Sequence, residues 1–329
     1  MNRQTSERIS HHYRLDIEHV ERKKKVMKLT TNRGEFALKE TMLQDKDDER
    51  FIHMLRRLER IGYRKLVPIL PTKDGEYTIN LGNKVYYLMP WIEDELYKGR
   101  ETKEEKIIAE MGVIHRLTAQ KDTFNKELFE QSTKQLLKRW DMRRLEIEKF
   151  ADEAERKVYP SPYELTFLTN THHFIRSCEE AKKHIEEWHD ACLESDKFRT
   201  VLCHGHLSRQ HVHFTKEGKP VIFNFERASY DTPSRDLALF CRSAFHYSLW
   251  DDEQMMRWFA IYDYHLPLYD EELQLMFAYL SFPEPIHSSM KQYKGLHRSM
   301  SELDHVAKLE RRVLMMAKAH RLKNYLLKT

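Results

Sequence analysis

Four imidazoles, His204, His206, His211 and His213, stand within ten positions, and an amide, Asn224, ends the apolar run Val221-Ile222-Phe223. Alternate residues of a strand point the same way, so two His-x-His pairs could aim nitrogens at one zinc ion. Such a site normally adds thiolates or carboxylates, and only Cys203 lies at ligand spacing. We read no metal site there. A neutral imidazole can also accept a proton, which leaves acid-base chemistry open to the same residues. Upstream, Ala37-Leu38-Lys39 has strand character with Ala37 and Lys39 on one side. A lysine flanked by hydrophobic residues is as readily a solvated edge residue as a ligand.

The segments that must position these groups have contrasting periods. Residues 26 to 39 read as two alternating runs about Asn32-Arg33-Gly34, the pattern of a β-hairpin. Phe51, Met54, Leu55 and Leu58 then recur at helical spacing, and Gly62 closes that helix. A second hairpin fits Glu76 to Met89, with Gly82-Asn83 as its turn and Pro90 as its end. The first 90 or so residues are thus predicted to be a small sheet with one helix. From Glu104 the pattern is helical, with Ile107, Ile108, Met111 and Ile114 on one face. Pro160-Ser161-Pro162 breaks the run, and a long helix follows through Phe174, Cys178, Ala181, Ile185, Trp188 and Cys192. Val201 to Phe225 is the exception, where two β-type runs, around 212 to 214 and 220 to 225, flank a turn at Thr215 to Gly218. Ser234 is the expected cap of the next helix, which carries Leu237, Cys241 and Ala244 inward. The tail, with Lys308, Arg311, Arg312, Lys318, Arg321, Lys323 and Lys328, reads as a packed final helix with a solvated basic face. Its apolar side would hold Leu309, Val313, Met316, His320 and Leu327.

This order of elements resembles the aminoglycoside phosphotransferase and choline kinase group of kinase-like folds. Three stretches carry the resemblance: His204-Gly205-His206-Leu207 through His211, Val221 through Glu226, and Asp236-Leu237-Ala238. The usual text of that group is His-Gly-Asp-Leu with Asn five residues after the Asp, an Ile-Asp-Phe-like strand end, and a later Asp-Leu-Ala. The resemblance implies an α+β, bilobal protein-kinase-like fold of the aminoglycoside phosphotransferase type. Residues 1–91 would form the β-sheet lobe with its helix, and 92–329 the helical lobe with the catalytic loop. It puts His206 at the catalytic base position, His211 at the first metal position and Asn224 at the principal one. Phosphoryl transfer relies on a carboxylate to orient the hydroxyl and on oxygen ligands for Mg²⁺; all three positions have changed, to imidazoles at 206 and 211 and to an amide without negative charge at 224. The expectation is a pseudokinase with no confident catalytic residue, no metal and no cofactor. The alternative is an active ATP- and Mg²⁺-dependent phosphotransferase of a small hydroxyl substrate or a coat protein. In the same mapping Lys39 would meet phosphates, with Glu49 of the following helix as its candidate acid, and Met89, Pro90 and Trp91 would meet adenine. No glycine precedes Gly34, so a glycine-rich phosphate loop is absent. His204 and Asp236 are expected to support the loop structurally.

Within that group, Asn224-Phe225-Glu226, Arg235-Asp236-Leu237 and Phe282-Pro283-Glu284 resemble the CotS-like branch of spore coat proteins. That implies synthesis in the cytoplasm of a mother cell, deposition on the spore coat, and other coat proteins as partners. Bulk properties are compatible with this. Basic and acidic residues number 56 and 52, a balance that gives no reason to expect nucleic acid. The four cysteines form no CxxC pair and suit reduced thiols, with Cys203 and Cys241 as core residues. No stretch reaches the ~18 apolar residues of a membrane span. Membrane insertion is therefore not expected.

Overall fold

The computed structural model describes residues 3–23, 26–41, 43, 46–122, 125–195, 198–247, 251–295 and 300–327. The chain divides into two compact units, one of residues 1–117 with 207–229, the other of 118–206 with 230–329.

The first unit is built on a five-stranded antiparallel sheet of order β1-β2-β3-β5-β4: β1 Ile17–Lys23, β2 Val26–Thr31, β3 Gly34–Thr41, β4 Ile79–Leu81 and β5 Lys84–Pro90. The two hairpins read from the sequence are β2–β3, turning at Asn32-Arg33, and β4–β5, turning at Gly82-Asn83, where Gly82 takes a φ of 67°. Alternation decides what each face does. Leu29, Leu38 and Leu88 point to one side and pack under α1 (Arg3–Tyr13) through Ile9 and Tyr13, all buried. Burying each such leucine is worth about 1.5–3 kcal/mol. Ala37, Lys39, Tyr87 and Met89 lie on the other face, since each neighbours one of those leucines in sequence. Because β3 is central, Lys39 is not an edge residue. α2 (Lys46–Arg60) follows, closed by Gly62 at φ 89°, whose N–H reaches the carbonyl of Glu59 at 3.1 Å. Phe51 of α2 packs on the Tyr87 ring, centroids 5.9 Å apart. The unit is completed by α3 (Lys103–Thr118) and by a hairpin whose strands are named below in chain order. One helix was expected before residue 90; α1 makes a second. Its apolar residues, Ile9 and Tyr13, stand four apart on one face, too short a pattern to mark a helix in sequence, and α1 is held by what it covers.

The second unit begins with the short strand β6 (Gln120–Asp122) and two long helices, α4 (Lys126–Glu155) and α5 (Pro162–Ser195). The break between them holds a capping box: Ser161 Oγ accepts from the Glu164 N–H at 3.2 Å and Glu164 Oε2 from the Ser161 N–H at 2.9 Å, with Pro162 opening the helix. β7 (Phe198–Cys203) follows; the hairpin of β8 (Val212–Phe214) and β9 (Pro220–Ile222) belongs to the first unit, and β10 (Ser229–Asp231) pairs with β7. The chain ends in α6 (Pro233–Tyr247), α7 (Asp252–His265), α8 (Asp270–Ser281), α9 (Glu284–Lys294) and α10 (Glu302–Leu326). Aromatic contacts lock the helices: Trp140 stacks on Phe282 at 4.3 Å, and Tyr163 on Tyr293 at 4.0 Å.

Two local expectations change. Thr232, not Ser234, serves the start of α6: its hydroxyl accepts the Ser234 N–H at 3.3 Å, Pro233 takes the first helical position, and Ser234 Oγ donates to the Glu272 carbonyl at 2.6 Å. α10 packs through His305, Leu309, Ala319 and Leu322, while His320 and Leu327 face solvent. Its basic face is partly turned inward. Lys318 Nζ donates to the Phe245 carbonyl at 2.9 Å and Lys323 Nζ to Glu180 at 2.8 Å. Lys328 lies outside the described residues.

Candidate functional site

Strand β3 delivers Lys39 from the middle of the first unit's sheet, and the chain leaving β9 delivers its partners. Ile222 is tied to the segment before β4 through the Val67 N–H (2.9 Å) and the Lys65 carbonyl (2.9 Å). This fixes the strand end. Asn224 then takes the left-handed conformation, φ 71° and ψ 46°, and a short 3-10 helix over Phe225–Arg227 begins. Asn is among the few side chains that tolerate this region, because its amide compensates locally for the crowded Cβ. The turn brings residues 224 and 226 to the same ammonium. Lys39 Nζ donates to Oδ1 of Asn224 and, at 2.5 Å, to Oε1 of Glu226.

The network extends on both sides. Tyr87, directly opposite Lys39 in β5, donates its hydroxyl to Glu226 Oε1 at 2.9 Å and holds its ring 5.5 Å below the ammonium. Burial first, then the Glu226 carboxylate, pushes the Tyr87 phenol well above its ordinary range, so it stays a donor. On the other side, Asn224 Nδ2 lies 2.9 Å from Nε2 of His211. The amide orientation follows from the network: Oδ1 must face the ammonium, so Nδ2 donates and His211 Nε2 accepts. That makes His211 a neutral imidazole with its proton on Nδ1, 3.5 Å from Ser208 Oγ. Lys39 and Glu226 are both largely shielded, with side chains 15% and 18% exposed.

Three of the positions read from the sequence, Lys39, His211 and Asn224, therefore meet in one network. Glu49 does not supply the carboxylate found on Lys39; it is exposed on α2 in the lining of a surface hollow with His53 and Arg56. The acid is Glu226. Sequence reasoning noted that residue only as part of a motif, and the available signal was the chain reversal that an Asn at a strand end permits. Tyr87 was also missed. The arrangement leaves two oxygens, Asn224 Oδ1 and Glu226 Oε1, converging on a point taken by an ammonium.

The linker after β5 is similarly engaged. Pro90 has no N–H, the Trp91 N–H donates to the Glu35 carbonyl at 3.0 Å, and the Ile92 carbonyl accepts from His213 Nδ1 at 2.8 Å. The space beside Tyr87 and Met89, enclosed by Phe51, Leu55, Phe223 and Phe225, amounts to about 10 Å³. That is scarcely one water. The His-x-His geometry dissolves too, for His213 is spent on Ile92 and its ring packs edge-on to Phe223 at 4.7 Å.

The remaining positions are in the second unit. Asp236, 1% exposed in the first turn of α6, accepts the His204 N–H at 2.6 Å and the Gly205 N–H at 2.8 Å, one on each oxygen. Gly205 adopts φ 77°, where a side chain is disfavoured. His204 is buried and His206 exposed. Cys203 and Cys241 are wholly buried, and burial raises both thiols, that of Cys241 to about 12.

The family described as "Spore coat putative kinase YutH" matches residues 6–325. The chain belongs to this family. The expectation from the motifs is the coat protein YsxE; the family that matches is that of YutH and does not carry that name. No curated protein matches. Among solved structures, an aminoglycoside phosphotransferase from Alicyclobacillus acidocaldarius is 17% identical with a TM-score of 0.77, over 99% of this chain and 97% of that one. A spectinomycin phosphotransferase bound to AMP is 15% identical, TM-score 0.66, over 96% and 97%. A choline kinase from Streptococcus pneumoniae is 15% identical, TM-score 0.51, over 95% and 98%. The YutH family member described here thus has the fold of these kinases, as the sequence resemblance implied. Among the described residues, no helix is long and apolar enough to cross a membrane.

Proposed function

We propose that this coat-family protein is a pseudokinase, retained as a structural or assembly component of the spore coat. It would be made in the mother cell, act among other coat proteins, and need no cofactor. The observation that carries the reading is the engagement of Lys39 by both Asn224 and Glu226. A kinase lysine keeps a helix acid beside it and still meets phosphates; here the carboxylate comes instead from the turn after β9, next to the position where the principal metal ligand is expected, and draws the ammonium into that place. Mg²⁺ prefers several oxygen ligands, carboxylates above all. Here the 224 position offers an amide, His211 offers a nitrogen, and the convergent oxygens already hold a cation. The residues as they stand do not fit Mg²⁺-ATP. His206, an imidazole where the fold's catalytic carboxylate is expected, completes the substitutions, while His204 and Asp236 keep the loop's shape.

A second reading, an active phosphotransferase acting on a small hydroxyl substrate or a coat protein, draws on Glu226. It restores one carboxylate two residues from where the fold's metal ligand is expected. Titrating the protein with ATP, with and without Mg²⁺, while following melting temperature and phosphate release, separates the two. Neither a shift nor turnover is expected. Mg²⁺-dependent turnover abolished by Lys39→Ala would establish the second reading instead.

A further inference from the structure

A hollow of about 470 Å³ lies between α4 and α9 of the second unit. Its lining includes Lys138, Arg139, Arg143 and Lys291, with His287 and the single carboxylate of Glu146. The cations are not equivalent. Arg143 is held by Glu284, and Lys291 by Glu146 at 3.1 Å, so these two heads are fixed in place. Glu146 is also the acceptor for His287 Nε2 at 2.5 Å, which uses up its charge within the wall. Lys138 and Arg139 stand exposed one turn earlier on α4, and among the described residues neither has a carboxylate within ion-pair distance. An open hollow with two uncompensated cations, beside two that carboxylates already hold, is complementary to an anionic segment.

We infer that this hollow docks an acidic polypeptide segment, a run of Asp or Glu exposed on a protein partner. Its shape and composition favour that occupant over nucleic acid. Phosphate-backbone binding spreads along a basic stripe, and the whole chain is nearly balanced in charge, whereas these cations gather about one recess. Met142, 55% exposed between Arg139 and Arg143 in sequence, adds a flexible apolar contact of the kind protein partners use. The inference does not depend on whether the Lys39 network binds nucleotide.

The test uses the full chain and a capped, fluorescently labelled hexaglutamate peptide, with anisotropy read at low and physiological salt. Saturable binding is expected, weakening with salt, and at least tenfold weaker in the Lys138→Glu/Arg139→Glu variant. Lys216→Glu/Lys219→Glu, in the β8–β9 turn, makes the same change in net charge and should leave affinity within twofold. The milder Lys138→Gln/Arg139→Gln pair guards against misfolding and should lose binding in the same direction. No binding by the parent protein, or equal losses in the two charge-reversed variants, would overturn the proposal. So would a single-stranded oligonucleotide that binds tenfold tighter than the peptide and is lost in the same variant.

Discussion

Glu226 lies 187 residues from Lys39 in the chain and 2.5 Å from its ammonium in space. The pair is stabilised from both flanks, by the Tyr87 hydroxyl on the carboxylate and by the Asn224 amide oxygen on the ammonium. Each group is thereby satisfied within the protein. A phosphate would have to compete for this ammonium with a carboxylate that is already hydrogen-bonded and largely removed from water, and would meet the repulsion of its negative charge.

Removing that internal anion should expose the lysine. Glu226→Gln keeps the shape and an acceptor oxygen but discharges the site, at a stability cost of about 1–2 kcal/mol. The variant is expected to gain an ATP-dependent rise in melting temperature, about 2–4 °C for each kcal/mol of ligand stabilisation. Adding Lys39→Ala should abolish the gain. A Glu226→Gln protein that still ignores ATP, while folded, would place the obstacle elsewhere.

Asn224 should tolerate glycine better than alanine. At φ 71° an alanine pays about 1–2 kcal/mol for its Cβ, and glycine pays none of it. Both lose the amide's bonds to Lys39 and His211, so the difference between them isolates the backbone. Chemical unfolding of the two variants should show Asn224→Gly the more stable by roughly that amount. Equal stabilities would mean that the turn relaxes when the amide goes.

What the sequence made legible follows from what is local. Alternation and turn residues found β2–β3 and β4–β5, and helical spacing found α3 and α5, because those elements bury one continuous face. β1, Ile-Glu-His-Val-Glu-Arg-Lys, was not recognised, for as an edge strand it buries little and carries charges. The cap of α5 was hidden in a segment taken only as a helix breaker, although Ser161-Pro162-Tyr163-Glu164 has the spacing of a capping box. The inward lysines of α10 were hidden for a similar reason, since their partners, the Phe245 carbonyl and Glu180, belong to other helices. The site itself was legible as a set of positions and illegible as a network. Lys39, His211 and Asn224 could be placed by resemblance, but Glu226 reaches Lys39 only through the left-handed turn at 224, a contact no periodicity encodes.

Glu164 gives a pH dependence with a definite sign. Burial raises its carboxyl, but the Lys157 ammonium and the Ser161 N–H outweigh this and hold it below the ordinary carboxylate value of 4.5. Its ionised form is therefore favoured in the folded state. The stability it contributes is present above about pH 4.5 and is lost as pH falls through the depressed folded value. Glu164→Gln should cost about 0.5–1 kcal/mol at neutral pH, where the charge also complements the start of α5. Urea unfolding of both proteins at pH 7, 4.5 and 3 should show the difference shrinking with acid. A constant difference would assign the effect to packing rather than charge.

Asp236 bears on whether the His204 loop is held as a shape. Its two oxygens take one backbone N–H each, from His204 and Gly205, and the carboxylate is 1% exposed. Asp236→Ala strands both donors in the interior, at about 1–3 kcal/mol each. Asp236→Asn retains one acceptor but turns an NH₂ group toward the second N–H, so its cost should fall between the parent and the alanine variant. The order of melting temperatures, Asp above Asn above Ala, is one readout. The second is amide exchange at Gly205, which should speed up markedly in Asp236→Ala because the donor has lost its acceptor. If exchange at Gly205 stays slow in a folded alanine variant, the loop is fixed by the packing of His204 and Leu202 rather than by the carboxylate, and Asp236 is not its support.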